Sequence, residues 1–170
     1  TQPTGQPTAQ PTVQPTMVTG PTRAATNAAA SATTHGRSTA DPVSSAAPEI
    51  SRVFVDLVNA RARALTDRST AALVAADAPG SKQRATDVSI IQALLSADER
   101  YVGLSFTVAT VEGVSLDGAT AVVRAVVGRS AYRVIGPGGH DQHVPADPGA
   151  VLVYSLVQVD GAWRLADVSR

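Results

Sequence analysis

Cysteine is absent from the 170 residues. That removes disulfides, thiolate nucleophiles, zinc–thiolate sites and iron–sulfur clusters, and it leaves this stretch no lipid-attachment cysteine. It does not choose a compartment, because a cysteine-free domain folds equally well in reducing or oxidising surroundings. Aromatics are scarce too: one Trp, three Tyr and two Phe. Net charge is zero, and from Glu49 onward twelve basic residues face thirteen acidic ones without blocks of either sign. A nucleic-acid surface needs a basic stripe and an anionic membrane surface asks for the same, so neither partner is expected. No run approaches the roughly 20 apolar residues that cross a bilayer, and no signal-peptide pattern occurs. The chain opens in mid-repeat at Thr1 without an initiating Met, so an upstream part is expected to be missing; an anchor or signal, if there is one, was removed or lies there, and a membrane enters the reading only through it. Neither Asn27 nor Asn59 has Ser or Thr two positions on, so no N-glycosylation acceptor is present.

What is there begins with a repeat. Residues 1–16 read TQPT-GQPT-AQPT-VQPT, and a Thr/Ala/Ser-rich tract continues to Ala47. Each proline fixes its own φ and pushes the preceding Gln toward extended backbone, so Pro3, Pro7, Pro11 and Pro15 favour polyproline II. Such a segment cannot bury enough apolar surface to fold. Residues 1–47 are therefore expected to be a disordered linker, with residues 1–22 spanning about 60 Å. Thr-rich tracts with proline read either as O-glycosylated stalks or as unmodified spacers, and both stay open. Lys82 is the single lysine among many arginines, which with the abundant Ala and Val matches the codon bias of a high-GC bacterial genome.

From Pro48 onward the periodicity is that of one compact domain, residues 48–170, large enough to bury about two-thirds of its surface. Pro48 suits a first helical position, and Ile50, Val53, Phe54, Leu57, Arg61, Ala64 and Leu65 follow a 3.6-residue spacing. Ser69 predicts the cap of a short second helix over Thr70–Ala76, packing Leu73 and Val74. Ser81 predicts the cap of a third helix over Lys82–Ala97, with an apolar stripe of Val88, Ile91 and Leu95 beside Ile90 and Leu94. After Arg100 the period becomes two: Val102, Leu104, Phe106 and Val108 form a half-buried strand, with a bulge near Ala109–Thr110. The hairpin dipeptides Asp117-Gly118 and Asp160-Gly161 bracket three further strands, about Ala119–Ile135, Ala150–Asp160 and Ala162–Val168. The second of the four strands bends near Gly128, and Gly136–Gly149 reads as a Gly- and Pro-rich loop. Helices first and a strand meander after them predict an α+β fold, with helices covering one face of the sheet.

The chain closes on Asp160-Gly-Ala-Trp-Arg-Leu-Ala-Asp-Val168. That ending, after a long helix, a short helix and an Asp77-Ala-Pro-Gly-Ser81 turn, resembles the last strand of NTF2-like domains (the SnoaL-like, cystatin-like superfamily). More narrowly it is similar to the actinobacterial versions displayed outside the membrane behind a Thr/Pro/Ala-rich linker. The resemblance covers residues 48–170. It implies a cone of three N-terminal helices packed on a curved four-stranded antiparallel sheet. The enzymatic relatives place Asp, His or Tyr inside that cone and move protons next to a carbonyl, whereas other relatives serve as interaction, dimerisation or ligand-sensing modules.

The inward strand positions here are mostly Val, Leu, Ala and Phe, and no inward Asp–His or Asp–Tyr pair stands out. No catalytic residue, metal ligand or cofactor is therefore expected. The expected function is a non-enzymatic, extracytoplasmic module of the cell envelope for protein interaction or small-ligand sensing. The alternative is a SnoaL-like isomerase, cyclase or dehydratase working in the cone pocket. Its pocket candidates are Tyr101, Phe106, Tyr132, Tyr154 and Trp163, whose rings and polar tips suit a small apolar ligand. The cluster His140, Asp141 and His143 has ligating side chains, but a Gly-rich hairpin does not pre-organise them, so it reads as a solvated tip. Arg124, Arg129 and Arg133 read as a solvated face; Arg164 and Asp167, on opposite faces of a strand, are not expected to pair with each other and read as surface residues that pair with neighbours. Val151, Val153 and Val157, opposite Leu152, Tyr154 and Leu156, give one strand two apolar faces, and a homodimer through the sheet is expected from them.

Overall fold

A computed structural model describes residues 42–170, with side chains from residue 46. The linker expected over residues 1–47 lies almost wholly outside the described residues. Helix α1 spans Pro42–Thr66, starting before the expected Pro48, which sits in its interior. A proline there removes one helical N–H, and the helix passes through it. The apolar spacing of α1 lays Ile50, Phe54, Leu57 and Val58 on the sheet. Beyond Thr66, Ser69 Oγ accepts from Ala72 N at 3.1 Å, although the position that caps the turn is Ala71, which has no side-chain cap bond. The expected second helix is corrected to a single 3-10 turn, Ala72–Ala75. Leu73 is buried, but Val74 is 54% exposed, so the segment has one anchor and no second face to hold further turns. Helix α2 spans Lys82–Ser96, with Ser81 accepting from Arg84 N at 3.1 Å.

Seven strands complete the domain: β1 (Arg100–Val102), β2 (Phe106–Asp117), β3 (Thr120–Arg129), β4 (Tyr132–Ile135), β5 (Asp141–Val144), β6 (Val151–Val159) and β7 (Ala162–Ser169). They form a four-stranded antiparallel sheet in the order β2-β3-β6-β7 and a three-stranded one in the order β1-β4-β5. The single meander expected from the sequence is thus two sheets. The strand expected through Val102–Val108 breaks at Gly103, whose φ of +82° turns the chain, and leaves β1 in the smaller sheet. The long second strand likewise divides between Arg129 and Tyr132, and β4 continues into the smaller sheet. The expected Gly136–Gly149 loop contains β5 and a short 3-10 turn at Pro137–Gly139.

The expected bulge is present as a register shift between Val108 and Thr110, and a second lies between Val111 and Gly113. Together they let Val108, Val111, Val114 and Leu116 all reach the core despite mixed parity. Asp160 and Gly161 both have positive φ, the backbone of a tight β-hairpin turn. The main core sets α1 against Ala121, Val123, Ala125, Tyr154, Leu156 and Leu165. A second cluster joins Ala64, Leu65, Leu73 and Ile91, and Phe106 packs against both. Residues 76–78 lie along β7, with Ala78 N donating to Leu165 O at 2.7 Å and Leu165 N to Ala76 O at 2.8 Å. That docking carries Asp77 into the interior.

Candidate ligand-binding site

Arg61 follows Leu57 by one helical turn, so the stripe that buries α1 also carries a guanidinium inside. Helix α2 brings the matching acid. Its buried face is Gln83, Asp87, Ile91 and Leu94, a straight i, i+4 row and then i+3. The Asp87 side chain is fully buried. Arg61 Nε donates to its Oδ2 at 2.6 Å and Arg61 Nη2 to its Oδ1 at 2.8 Å, and Gln83 Nε2 donates to Oδ2 at 3.0 Å. This bidentate geometry gives the acid several of the hydrogen bonds that burial of a charge demands. Burial works against the charge on Arg61, but the hydrogen bonds and charge of Asp87 overcome it and raise the guanidinium above its ordinary value. The expected stripe on α2 is corrected here: Leu95 is 52% exposed, because Gln83 and Asp87 occupy the face an apolar count assigned elsewhere.

Two cavities open beside this pair. One, of about 240 Å3, is lined by Arg61, Phe106, Arg129, Asp147 and Tyr154 among others. Its neighbour, of about 230 Å3, is lined by Arg61, Leu104, Phe106, Arg129, Tyr101 and Tyr132 among others. Arg61, Phe106 and Arg129 belong to both. The Arg61 guanidinium stands 5.1 Å from the Phe106 ring centroid, and that of Arg129 stands 5.1 Å from Tyr132. Tyr101 and Tyr132 meet edge to face at 5.0 Å, and Tyr154 packs on Phe54 at 4.7 Å. Burial raises the Tyr154 phenol, with Arg61 opposing it, and burial followed by Tyr132 raises that of Tyr101. Both stay neutral donors near neutrality.

The structure brings four of the five expected pocket residues, Tyr101, Phe106, Tyr132 and Tyr154, to these cavities. Trp163 is elsewhere: it pairs with Gln158 across the β6–β7 ladder and packs on the edge of the main core. Arg129, expected on a solvated face, lines both cavities, because the break after it turns the strand inward. Arg133 instead pairs with Asp141, its Nε at 2.7 Å from Oδ1. His140 Nε2 lies 3.6 Å from Glu99. Asp167 reaches Lys82 Nζ at 3.4 Å, and Arg164 Nε donates to Val74 O at 2.7 Å. Among the described residues no three His, Cys, Asp or Glu side chains gather closely enough to hold a metal.

No family model matches the sequence, and neither does any curated protein. Solved structures do. The intermembrane space region of the chloroplast protein ARC6 superposes with a TM-score of 0.53 at 13% identity, covering 71% of this chain and 93% of that one. The two share a fold. An uncharacterised protein with a cystatin-like fold from Caulobacter vibrioides superposes at 0.40, with 14% identity over 71% of this chain and 87% of the other. A designed NTF2-like protein whose name carries five substitutions reaches 0.36, with 11% identity over 72% of this chain and 96% of that one. The first likeness speaks to fold alone, and the other two are too distant to add to it.

Sequence reasoning passed over Arg61, Gln83, Asp77 and Asp87 as site residues. Arg61 had a signal, as a charge in the middle of an apolar helical stripe, and Asp87 is its mate at the corresponding place on α2. Asp77 had none, since it stands in a turn. Its side chain is fully buried and both its carboxylate oxygens lack hydrogen-bond partners. Burial first, and the charge of Asp87 second, push its carboxyl up to about 7. It lines neither cavity.

Proposed function

We propose that this chain is a non-enzymatic, NTF2-like (cystatin-like) module that binds a small ligand in the paired cavities and works outside the cytoplasmic membrane. The observation that carries the reading is the convergence of Arg61, Phe106 and Arg129 on both cavities, ringed by Tyr101, Tyr132 and Tyr154. Aromatic walls with a few fixed polar groups are what a small-molecule site offers. The Thr-Gln-Pro-Thr repeats support the extracytoplasmic placement, as a spacer of the kind that holds a domain away from a surface. An acid–base enzyme needs a titrating group within reach of its substrate. Asp77 has the tuned carboxyl, yet it lines neither cavity; Asp87 is engaged by Arg61 and Gln83, and Asp147, the carboxylate that lines the first cavity, accepts from Gly149 N through Oδ1 to hold its own turn.

Ligand-observed NMR with a panel of small aromatic and aliphatic acids, amides and alcohols tests this. We expect saturable binding to the native chain and its loss in Leu104→Trp, which fills the second cavity. Compounds recovered unchanged after long incubation agree with a binder. Conversion of any bound compound would overturn the non-enzymatic reading, and binding undiminished by the filled cavity would overturn the site.

A further inference from the structure

The two guanidiniums at the cavities are not equivalent. Arg61 is matched by Asp87 in a bidentate pair, so its charge is already answered. Arg129 meets no carboxylate within ion-pair distance among the described residues. Its Nε is buried with no acceptor, Nη2 makes one long contact of 3.4 Å to Pro145 O, and its face lies on Tyr132. The acid that lines the first cavity beside it, Asp147, is bound to Arg129 through backbone bonds of 2.8 and 2.9 Å, while its side-chain Oδ1 accepts from Gly149 N at 2.9 Å. Asp147 therefore holds the strand end that presents Arg129 and spends its carboxylate on the turn. A half-buried guanidinium with unused donors in an aromatic-walled cavity is a ready partner for an anion.

We propose that the cavities take a small organic monocarboxylate, its acid group against Arg129 and its apolar body among Phe106, Tyr101, Tyr132 and Leu104. The proposal rests on the ligand-binding reading above and names the chemical class. A monoanion is favoured over a phosphate monoester for a reason of charge. One unanswered guanidinium balances one negative charge, and Asp147 lines the first cavity and would repel a second. The second cavity, lined by Arg61 and Arg129 with no acidic residue, is where the carboxylate and its apolar tail fit together.

Isothermal titration at pH 7.5 with matched pairs, phenylacetate against phenylacetamide and hexanoate against hexanamide, tests the proposal on the native chain. The acids are expected to bind roughly tenfold or more tightly than the amides, the margin of a charge-assisted hydrogen bond. In Arg129→Gln, with folding confirmed by its thermal transition, the acid should fall to the amide's level while the amide is unchanged. Arg129→Lys should keep part of the preference. Acid and amide binding alike would overturn the monocarboxylate and leave the ligand-binding reading standing. Phenyl phosphate binding more tightly than phenylacetate would overturn it as well. Failure of every member of both pairs to bind would overturn the inference together with the ligand-binding reading beneath it.

Discussion

Asp77 and Asp87 are both sealed in the interior, yet only the Asp87 carboxylate has hydrogen-bond partners. The groups facing Asp77 are Asp87, Arg61 and Arg84. Its carboxyl titrates near 7 in the fold against 3.8 when free, so between those values the folded state keeps a proton that the unfolded chain has lost. Stability must therefore fall as pH rises through that window and level off above it, a loss of up to about 4 kcal/mol. Asp77→Asn has no proton to lose there. Its urea midpoint should be flatter from pH 4 to pH 7, and at pH 8 it should exceed the native one; parallel curves for the two proteins would refute this. Arg61→Leu strands the Asp87 carboxylate and should cost about 3–5 kcal/mol. Adding Asp87→Leu should return much of that loss, measured by chemical denaturation, because an apolar pair replaces a buried charge. Unequal legibility has its origin in the same chemistry. Arg61 announces itself as a charge in an apolar row, whereas Asp77 is buried by the docking of residues 76–78 on β7, a contact between segments far apart in sequence.

At the scale of elements, propensity and turn chemistry were readable and pairing partners were not. The serine cap of α2, the Asp-Gly hairpins and the bulge after Val108 all obey local rules. The division into two sheets does not, because it depends on which neighbour a strand meets after Gly103 and after Arg129. Backbone approach decides the second of these. A Cβ on Gly128 would lie 3.0 Å from Pro148 O, and one on Gly149 would collide with the Val127 carbonyl; Gly149 also has a φ of +86°. The loop after β5 thus presses on the end of β3, where Arg129 enters the cavities. Gly149→Ala should cost about 1–3 kcal/mol from backbone strain alone. It should also speed amide exchange at Arg129 and Asp147, whose mutual bonds depend on that approach. A stability equal to the native value, with those two amides still protected, would show that the loop relaxes elsewhere.

Across the whole molecule, the α+β class and the placing of helices on one sheet face were legible because helical and two-residue periods occupy separate stretches of the chain. The cavities were legible only in part. The aromatics were visible, but the charges among them come from α1 and from the point where β3 leaves its sheet. Two apolar clusters result, one between α1 and the larger sheet and one near α2 and the smaller sheet, with Phe106 packed on both. Phe106 is thus a side chain the clusters share, beside α1, which gives Ile50, Phe54, Leu57 and Val58 to the first and Ala64 and Leu65 to the second. Central strands β3 and β6 are bonded on both sides, whereas β5 is an edge strand with three of its four residues exposed. In the native chain, β3 and β6 amides should exchange roughly tenfold or more slowly than those of β5. Phe106 is half-buried at the rim of the cavities, so Phe106→Ala should cost less than the roughly 3–5 kcal/mol of a fully buried ring. Beyond that loss, it should let β4 and β5 exchange well before β3 and β6, since the smaller sheet loses a side-chain tie to the main core. If β4 and β3 still open in a single step in that variant, the clusters are joined through other contacts, and the seam at Phe106 is not what couples them.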